Sequence, residues 1–448
     1  MPKLFGTDGM RGRAFEAPLD EGTVRRLGTA LAEELGGANA APLLLAGDTR
    51  GSTTLLASWL GEAYQAAGGR IVWGGVLPTP AVSHLLREGS FLAGVVISAS
   101  HNPADDNGIK VLSRTGEKVP DAMERRLEAR LSSATAHHGP GLPECDTRLA
   151  ERYLEVLHRS HGNRRPLRGL HVVVDAAHGA AYGLAGRYLE ELGARVTAIF
   201  DRPDGTNINA DCGATSPELL AHAVVTAGAD AGLALDGDAD RAVLTDEHGK
   251  VLDGDDILLA WGRQLAADDR LPGRRIVATV MSNFGLEKAL ATEGIELNRC
   301  QVGDRAVWEA MRHHGAALGG EQSGHIICSH HGVTGDGLLT GTHVLAIAAA
   351  SGRPVSELSD LERMPQVLLN VRVARKVPFT DVGPVKELLD QLQAELEGRG
   401  RVLLRYSGTE RLARVMVEGE DEQLIRVGAE RLAQAIAREL GNPRAVNA

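Results

Sequence analysis

Three aspartates that alternate with small residues follow an apolar run near the middle of the chain. Asp236, Asp238 and Asp240 stand in LALDGDADRAVL, and this spacing lets three carboxylates converge on one hard cation. An EF-hand loop has nearly the same spacing, but Arg241 occupies its sixth position, where that loop needs glycine. A solvated charge cluster is the other alternative, although the carboxylates would repel one another without a counter-ion. We predict a metal site, and its oxygen donors favour Mg²⁺ completed by a phosphate oxygen.

A serine in GVVISASHNPADDNGIK is the first candidate for group transfer. Ser100 follows a short apolar run, so we expect it at the end of a buried strand. The G-x-S-x-G elbow of hydrolases is missing around it, which argues against a hydrolase triad. The alternative is an ordinary turn or helix-capping serine, which is what most such segments contain.

The stretch LGGEQSGHII is the third segment whose residues could bind or react with a ligand. Glu321, Ser323 and His325 alternate with small or amide residues, so in an extended loop they would point the same way. Short polar side chains beside glycines suit recognition of hydroxyl groups on a small ligand. A polar strand end is the alternative.

The stretch LLRYSGTERLARVMV combines hydroxyl groups, a glycine and arginines. Arg405 ends a predicted strand, Ser407, Gly408 and Thr409 form a turn, and Arg414 lies in the next strand. Backbone N–H groups around a glycine, with guanidinium groups beside them, form an anion-binding nest. A hairpin turn with surface arginines is the alternative.

The elements around these loops follow a repeated order. A β-branched run, a polar turn, a helix and a second strand recur at PLLLAGDTR, LHVVVDAAHG and RRIVATVMSN. This order predicts an α/β protein with three similar doubly wound domains, mainly parallel sheets and a C-terminal α+β domain, around a central cleft. We expect the domains to span residues 1–155, 156–255, 256–365 and 366–448. They would carry the serine, metal, hydroxyl-reading and phosphate loops in turn.

The carboxyl ends of parallel strands are where ligands bind in such sheets. A serine that faces a metal site beside a phosphate anchor indicates phosphoryl transfer, in which the protein mostly positions groups and neutralises charge. Ser100 would then carry a phosphoryl group, and the phosphoserine would complete the aspartate site.

Composition limits the classes of partner. The chain has 448 residues, 43% hydrophobic and 24% charged, with a formal net charge of −11. These values are typical of a globular protein, and an acidic chain without a basic run binds nucleic acid or anionic membranes poorly. The four widely spaced cysteines indicate reduced thiols. Because MPKLFGTDGMRG has no apolar leader, we expect a cytoplasmic protein.

Two minor features have ordinary explanations. Arg11 lies in the glycine-rich FGTDGMRG, where a lone arginine is usually a surface charge. The histidine pairs 137–138, 313–314 and 330–331 have no partner at zinc-site spacing, so we expect them on the solvated surface.

Four motifs, SASHNP, DGDADR, GEQSGH and RYSGTE, follow one another over nearly the whole chain. With all four in this order, the sequence resembles the α-D-phosphohexomutase family. FGTDGMRG, ISASHNP, GEQSGH and NINADCGAT (207–215) are most similar to the bacterial branch of that family that acts on glucosamine phosphates. The resemblance implies conversion of glucosamine 6-phosphate to glucosamine 1-phosphate, through a bisphosphorylated sugar, for synthesis of UDP-N-acetylglucosamine.

The resemblance also implies residue roles. Ser100 would be the phosphoserine and, with the three aspartates, a ligand of Mg²⁺. Arg11, His101 and Lys110 would be catalytic; a lysine of lowered pKa or a histidine suits proton transfer, and the proton carrier stays open. The implied substrate-binding residues are Arg241, Glu321, Ser323, His325, Arg405, Ser407, Gly408, Thr409 and Arg414.

The last motif departs from the family pattern. Tyr406 and Arg411 stand where prolines are expected. Because the motif's arginine, serine, glycine and threonine are present, we expect phosphate binding to be kept on a more flexible loop.

Three other functions remain open at this point. A phosphomannomutase or phosphoglucomutase would differ in only a few hydroxyl-reading residues. A Mg²⁺-dependent sugar phosphatase would release inorganic phosphate, and a non-catalytic sugar-phosphate-binding protein would lack the serine or the aspartates. We expect a sugar phosphate as partner, neither nucleic acid nor membrane, and a monomer or homodimer.

Overall fold

The computed structural model describes residues 4–6, 9–36, 41–407 and 410–441. The chain divides into two compact units. The first comprises Met1–Thr279 with Asn298–Asp360, and the second Val280–Leu297 with Leu361–Ala448.

The first sheet of the first unit mixes parallel and antiparallel strands. Its strands and helices are β1 (Met10–Arg13), α1 (Glu21–Leu35), β2 (Leu43–Gly47), α2 (Thr53–Ala66), β3 (Ile71–Val76), α3 (Thr79–Arg87), β4 (Ala93–Ile97), β5 (Asp106–Ser113) and α4 (Asp121–Leu131). The strand order is β1-β5-β4-β2-β3, with β2 parallel to β3 and β4, and β5 antiparallel to β4 and β1. The central strands β2 and β4 are wholly buried, because helices cover both faces.

The second sheet repeats this arrangement. Its elements are α5 (Arg148–Ser160), β6 (His171–Asp175), α6 (Ala185–Glu191), β7 (Arg195–Ile199), α7 (Glu218–Ala227), β8 (Ala231–Leu235), β9 (Ala242–Asp246) and β10 (Val251–Leu252). The order is β10-β9-β8-β6-β7, with β6 parallel to β7 and β8, and β9 antiparallel to β8 and β10.

The third sheet is smaller. Its region contains α8 (Gly254–Ala267), β11 (Arg275–Thr279), α9 (Phe284–Ala291), β12 (Glu296–Cys300), α10 (Asp304–His314), β13 (Leu318–Gly320), β14 (Ile326–Cys328) and α11 (Gly337–Ser351). The order is β12-β11-β13-β14, with β11 parallel to β13, and β13 antiparallel to β14. Helix α9 belongs to the second unit.

All three sheets switch from parallel to antiparallel pairing at the same kind of connection. The connections are β4–β5, β8–β9 and β13–β14. They carry Ser100, the three aspartates and Glu321–His325 respectively. The α/β class is therefore confirmed, and the chemistry-bearing loops join a strand to an antiparallel neighbour rather than to a crossover helix.

The rest of the second unit is a small antiparallel sheet with helices. It contains β15 (Gln366–Arg372), α12 (Gly383–Glu395), β16 (Gly400–Tyr406), β17 (Leu412–Gly419) and α13 (Glu422–Leu440). β17 lies between β15 and β16 and is antiparallel to both. Its core includes Val385, Val415, Val417 and Ile436. The expected α+β arrangement is confirmed.

The boundaries of the elements agree to within a few residues with those expected from the sequence, with one clear exception. The pattern AAYGLAGRYLEELGA predicts a helix over 180–194, but α6 begins only at Ala185. Gly183 has φ 67°, a left-handed conformation that places a turn before the helix. The four cysteines are free, and no described helix is long and apolar enough to cross a membrane.

A group of stacked rings joins α5, α8 and α11. The ring centroid of His343 lies 4.2 Å from that of His161, 4.6 Å from that of His331 and 5.1 Å from that of Trp261. The pair 330–331 was expected on the solvated surface; His331 instead is half-buried in this ring cluster. Burial, and then the cations around it, of which Arg270 is the first, lower the pKa of His331 to about 4.

Because of the ring cluster, we expect the folded protein to lose stability in acid. Burial lowers the pKa of His161 from 6.5 to about 4 as well, so the unfolded chain binds protons that the folded chain does not. Stability is then lost as the pH falls from about 6.5 towards 4, by roughly 1–2 kcal/mol for each of these imidazoles after allowance for solvent screening. His158, His330 and His84 also face the cluster.

Thermal unfolding of His161→Gln measures this effect. We expect a smaller drop in unfolding temperature between neutral pH and about pH 5 than in the wild type. His313→Gln, on an exposed α10 position, is the control and should behave like the wild type. Equal drops in all three proteins would contradict the assignment.

Candidate active site

Ser100 lies in the β4–β5 connection and is 2% exposed. Its Oγ donates a hydrogen bond of 2.6 Å to Oδ2 of Asp236 in the β8–β9 connection. The Nδ1 atom of His101 lies 3.4 Å from the same hydroxyl. Ser100 has φ 53°, a left-handed conformation that serine adopts rarely and that surrounding contacts must hold. The serine predicted from the sequence is therefore in contact with the predicted metal loop.

Arg50, which follows β2, holds the backbone of the Ser100 loop. Its buried guanidinium donates to the carbonyl oxygens of Ser100 at 2.9 Å and Asn102 at 2.8 Å. Nε of Arg50 donates to Oδ2 of Asp48 at 2.9 Å, and Asp48 Oδ2 also accepts from Ser98 Oγ at 2.6 Å. The buried ion pair thus ties the loop to the first sheet.

The three aspartates of DGDADR are buried together. Each offers a carboxylate oxygen, and these atoms all lie within 4.8 Å of one another. Burial, followed by the charges of Asp240 and Asp238, raises the pKa of Asp236 to about 8. Three carboxylates at this separation favour a bound cation, because it removes their mutual repulsion.

The donor set fits a hard divalent cation. Oδ1 of Asp240 is buried and has no hydrogen-bond partner among the residues that the structure describes. A buried carboxylate oxygen without a donor is unfavourable unless an ion or water satisfies it. Carboxylate and hydroxyl oxygens are the ligands that Mg²⁺ and Ca²⁺ take.

Lys110, on β5, contacts the aspartates. Its Nζ lies 2.8 Å from Oδ2 of Asp238 and 4.0 Å from Oδ2 of Asp240. Thr79, at the start of α3, donates from Oγ1 to the same Asp238 oxygen at 2.6 Å. Its ammonium group lies against the aspartate carboxylates, where it compensates their charge.

A cavity of about 480 Å³ opens in front of Ser100. Its lining includes Ser100 and His101, five acidic residues and four lysine or arginine residues, which are Arg11, Lys118, Arg241 and Arg305. Burial, then the charges of Arg241 and Arg11, lowers the pKa of His101 to about 4. The imidazole is therefore neutral near pH 7, and the arginines present their charge to an anionic ligand.

The GEQSGH loop contributes to the same cavity through Glu321 and His325. Oε1 of Glu321 accepts from the N–H of Gly303 at 2.9 Å. His325 Nδ1 lies 3.5 Å from Oδ2 of Asp240; burial opposes its charge, but the Asp240 carboxylate outweighs that and raises the pKa of His325 to about 9. Ser323 is exposed at the tip of the turn and is not among the lining residues described.

The predicted phosphate loop lies in the second unit. Arg405 on β16 stands directly opposite Arg414 on β17, and burial, then the charge of Arg414, lowers the pKa of Arg405. Like charges opposite one another in a sheet are unfavourable unless an anion lies between them. Nε of Arg414 is buried and has no hydrogen-bond partner among the described residues.

The turn of this loop is partly described. Ser407 Oγ accepts from the N–H of Glu410 at 3.3 Å, and Lys376 Nζ donates to the Ser407 carbonyl at 2.5 Å. Gly408 and Thr409 lie outside the described residues. Tyr406, expected to be proline, stacks on Phe379 with ring centroids 4.4 Å apart, so this departure adds packing to the start of the loop.

Sequence patterns gave no signal for several residues at these sites. They are Arg50, Thr79, Lys118 and Lys376. The segments around them have the residue pattern of ordinary turns or of solvent-exposed surface. Lys118 forms an ion pair of 2.6 Å with Asp304 at the cavity. Only the folded chain shows that these residues meet the motifs.

Family models match the chain in four segments. The α/β/α domains I, II and III of the phosphoglucomutase/phosphomannomutase family match residues 2–138, 151–249 and 253–364. The C-terminal domain of that family matches residues 368–435.

Related proteins cover the whole chain. The chain is 46% identical to the phosphoglucosamine mutase of Desulfovibrio desulfuricans, over 98% of this chain and 99% of that protein. It is 44% identical to the phosphoglucosamine mutase of Alkalilimnicola ehrlichii, over 97% of each.

Solved structures share the fold. A phosphoglucomutase/phosphomannomutase family protein from Burkholderia thailandensis has a TM-score of 0.78 at 25% identity, covering 98% of this chain and 97% of that one. An N-acetylglucosamine-phosphate mutase, described as a member of the α-D-phosphohexomutase superfamily, has a TM-score of 0.63 at 15% identity, covering 97% and 96%.

Proposed function

Because the chain belongs to the phosphoglucomutase/phosphomannomutase family, we propose that it interconverts glucosamine 6-phosphate and glucosamine 1-phosphate through a phosphoserine at Ser100. The observation that carries this proposal is the 2.6 Å hydrogen bond from Ser100 Oγ to Asp236. It places a hydroxyl group, the nucleophile of the proposed transfer, on a buried carboxylate cluster beside a cavity whose lining includes Arg11 and Arg241. The phosphoglucosamine mutases at 44–46% identity support the amino sugar as substrate.

In the proposed reaction the phosphoryl group of phosphoserine 100 moves to a free hydroxyl of the sugar phosphate. The P–Oγ bond breaks, a P–O bond to the sugar forms, and the hydroxyl proton leaves to a base while Oγ gains a proton. The resulting bisphosphorylated sugar turns over, and the reverse transfer returns its other phosphoryl group to Ser100. The enzyme is unchanged after one cycle, so no external phosphate is consumed.

The proposed roles of the binding residues follow from the charges of their side chains. Arg11, Lys118 and Arg241 would attract the phosphates of the substrate, and Glu321 would accept hydrogen bonds from sugar hydroxyls. Arg405 and Arg414, with Ser407, Gly408 and Thr409, would bind the phosphate that is not being transferred. Ser323 and His325 are proposed substrate contacts as well.

We assign the metal site to Mg²⁺, held by Asp236, Asp238 and Asp240 with the phosphoserine oxygen. When bound, the ion supplies positive charge to the phosphoryl group in transfer. Lys110 would hold Asp238 in place and reduce the charge of the cluster. His101 is neutral in the free site, and a dianionic phosphate beside it would raise its pKa towards the range useful for proton transfer.

We propose four domains with divisions near residues 155, 255 and 365. The four matched segments of the family support this number. We further propose a cytoplasmic enzyme that is a monomer or a homodimer; four free cysteines support the compartment.

A comparison of substrates tests the proposed activity. We expect kcat/KM for glucosamine 6-phosphate to exceed the values for mannose and glucose 1- or 6-phosphates by about tenfold or more in the presence of Mg²⁺. The released inorganic phosphate should be far below one equivalent per turnover, since a mutase keeps the phosphoryl group on enzyme or sugar. Product should be followed directly by NMR as well as by a coupled assay.

Two results would reject this assignment in different ways. Preference for mannose or glucose phosphates would keep the mechanism and move the protein to a neighbouring branch of the family. Stoichiometric release of inorganic phosphate would identify a phosphatase instead.

A further inference from the structure

The carbonyl oxygens of Ser100 and Asn102 each accept a second hydrogen bond, from a residue of the second sheet's loops. Nδ2 of Asn209 donates to the Ser100 carbonyl at 2.9 Å and to the Asn102 carbonyl at 3.0 Å. These are the two carbonyls that Arg50 also binds. One amide NH₂ group has two hydrogens, so Asn209 can serve both acceptors at once.

Asn209 is itself held in place by its backbone. It has φ 57°, which asparagine tolerates better than most residues, and its N–H donates to the carbonyl of Ala177 at 2.9 Å. Asn209 therefore joins the Ser100 loop to the segment that follows β6, in the same part of the fold that carries the aspartates.

The metal loop approaches the same carbonyl from another side. A Cβ atom added to Gly237, between Asp236 and Asp238, would lie 2.6 Å from the Ser100 carbonyl oxygen and 2.8 Å from Asn209 Nδ2. The space between the two loops is therefore filled by backbone and by the Asn209 amide. A shift of the serine loop would change the distance from Ser100 Oγ to Asp236.

Both hydrogens of the Asn209 amide are donated to backbone carbonyls, so its NH₂ group has none left for a sugar hydroxyl. We propose that Asn209 is a positioning residue: its amide, with Arg50, holds Ser100 in its left-handed conformation and sets the alignment of Oγ on the aspartate cluster. This inference rests on the proposed phosphoserine mechanism. It assigns to Asn209 an effect on the transfer step and none on substrate binding.

The test is Asn209→Asp, which keeps size and tolerance of the left-handed conformation but replaces the NH₂ donor by a carboxylate oxygen. At neutral pH the carboxylate would face two carbonyl oxygens and repel them. We expect kcat to fall roughly 10²-fold, as expected for a misplaced reacting group, while KM changes by less than about threefold. Transfer from phosphorylated Ser100 to sugar, followed by intact mass in a single turnover, should slow by the same factor.

The pH profile separates positioning from simple damage to the fold. A protonated carboxyl can donate one hydrogen bond, so the ratio of the Asn209→Asp rate to the wild-type rate should rise as the pH falls. Asn209→Gly keeps the backbone conformation but has no side-chain donor. The ratio of its rate to the wild-type rate should be low at every pH. Asn163→Asp, at an exposed position with φ 55°, is the matched control and should equal the wild type.

Three outcomes would overturn the inference. They are a wild-type kcat in Asn209→Asp, a rise in KM with unchanged kcat, or a loss of activity that follows loss of thermal stability and shows no pH-dependent recovery. If Asn209→Asp fails to fold, unchanged kcat in Asn209→Gly has the same meaning. A wild type that turns over a different sugar overturns only the proposed substrate, and the comparison is then made with that sugar. A wild type whose Ser100 never carries phosphate overturns both.

Discussion

Replacing Ser100 by alanine should lower kcat for the mutase reaction by about 10⁴-fold or more, because the residue that carries the phosphoryl group is lost. The Oγ atom is the only part removed, and its hydrogen bond to Asp236 is the contact on which the proposed mechanism depends. Neither water nor His101 can replace a group that must hold the phosphoryl unit while the sugar turns over. Phosphoenzyme should be undetectable by intact mass in this variant.

The backbone of Ser100 requires a second variant. Serine and alanine both carry a Cβ atom, so the cost of about 1–2 kcal/mol of a left-handed conformation at φ 53° is present in the wild type and in Ser100→Ala alike. Ser100→Gly removes the hydroxyl and relieves the strain; it should be as inactive as Ser100→Ala and at least as stable. Ser113→Ala, at the end of β5 where Oγ contacts only Thr115 among the described residues, should retain wild-type kcat. More than a tenth of wild-type activity in both Ser100 variants would show that Ser100 is only a turn residue.

Much of the site could be predicted from the sequence because its residues are close together in the chain. The three aspartates span five positions, and the alternation of carboxylates with small residues is a local pattern. The same holds for Arg405 and Ser407. Chemistry carried by one loop leaves a readable spacing, so the carboxylate cluster was predictable without the fold.

The residues that the sequence did not reveal act across long separations. Arg50 and Asn209 both bind the carbonyl of Ser100, which is 50 positions from Arg50 and 109 positions from Asn209. Thr79 binds Asp238, which is 159 positions away. The contacts of Asn209 and Thr79 need the relative placement of two sheets, and the contact of Arg50 needs the order of the strands within the first sheet. Residue spacing contains neither.

Lys110 is a further case in which residue spacing does not determine where a side chain lies. The sequence shows only that it lies in the same segment as Ser100, whereas the structure shows that β5 returns antiparallel to β4 and pairs Lys110 with Val96. The return carries the ammonium to the aspartates. The repeated strand–helix order predicted parallel strands, and it contained no signal for the antiparallel strand that determines where this side chain points.

Replacing Asp240 by asparagine should have opposite effects on activity and on the stability of the metal-free protein. One carboxylate fewer weakens binding of a divalent cation, and we expect kcat/KM to fall by about 10³-fold at a Mg²⁺ concentration that saturates the wild type. The same change removes part of the repulsion that, after burial, raises the pKa of Asp236. His325 pairs with Asp240 below its raised pKa of about 9, and loss of that ion pair would oppose this gain. Asp240→Asn should therefore unfold at a higher temperature than the wild type when both are measured in chelator above pH 9, where His325 is neutral.

Mg²⁺ titration completes this prediction. In the wild type, Mg²⁺ at about 100 times its Kd should stabilise the folded protein by about 2.7 kcal/mol, and in Asp240→Asn most of that gain should be lost. The titration needs no substrate, so it reports on the metal site independently of the sugar.

Asp269→Asn, an exposed position after α8, is the control for the chemical change and should match the wild type in both assays. A carboxylate cluster that only stabilised the fold would give the reverse pattern: Asp240→Asn would be less stable in chelator, and Mg²⁺ would leave the unfolding temperature of the wild type unchanged. The sign of the stability change in chelator therefore separates a cation site, whose charges repel until an ion is bound, from a structural cluster already neutralised by Lys110 and its neighbours.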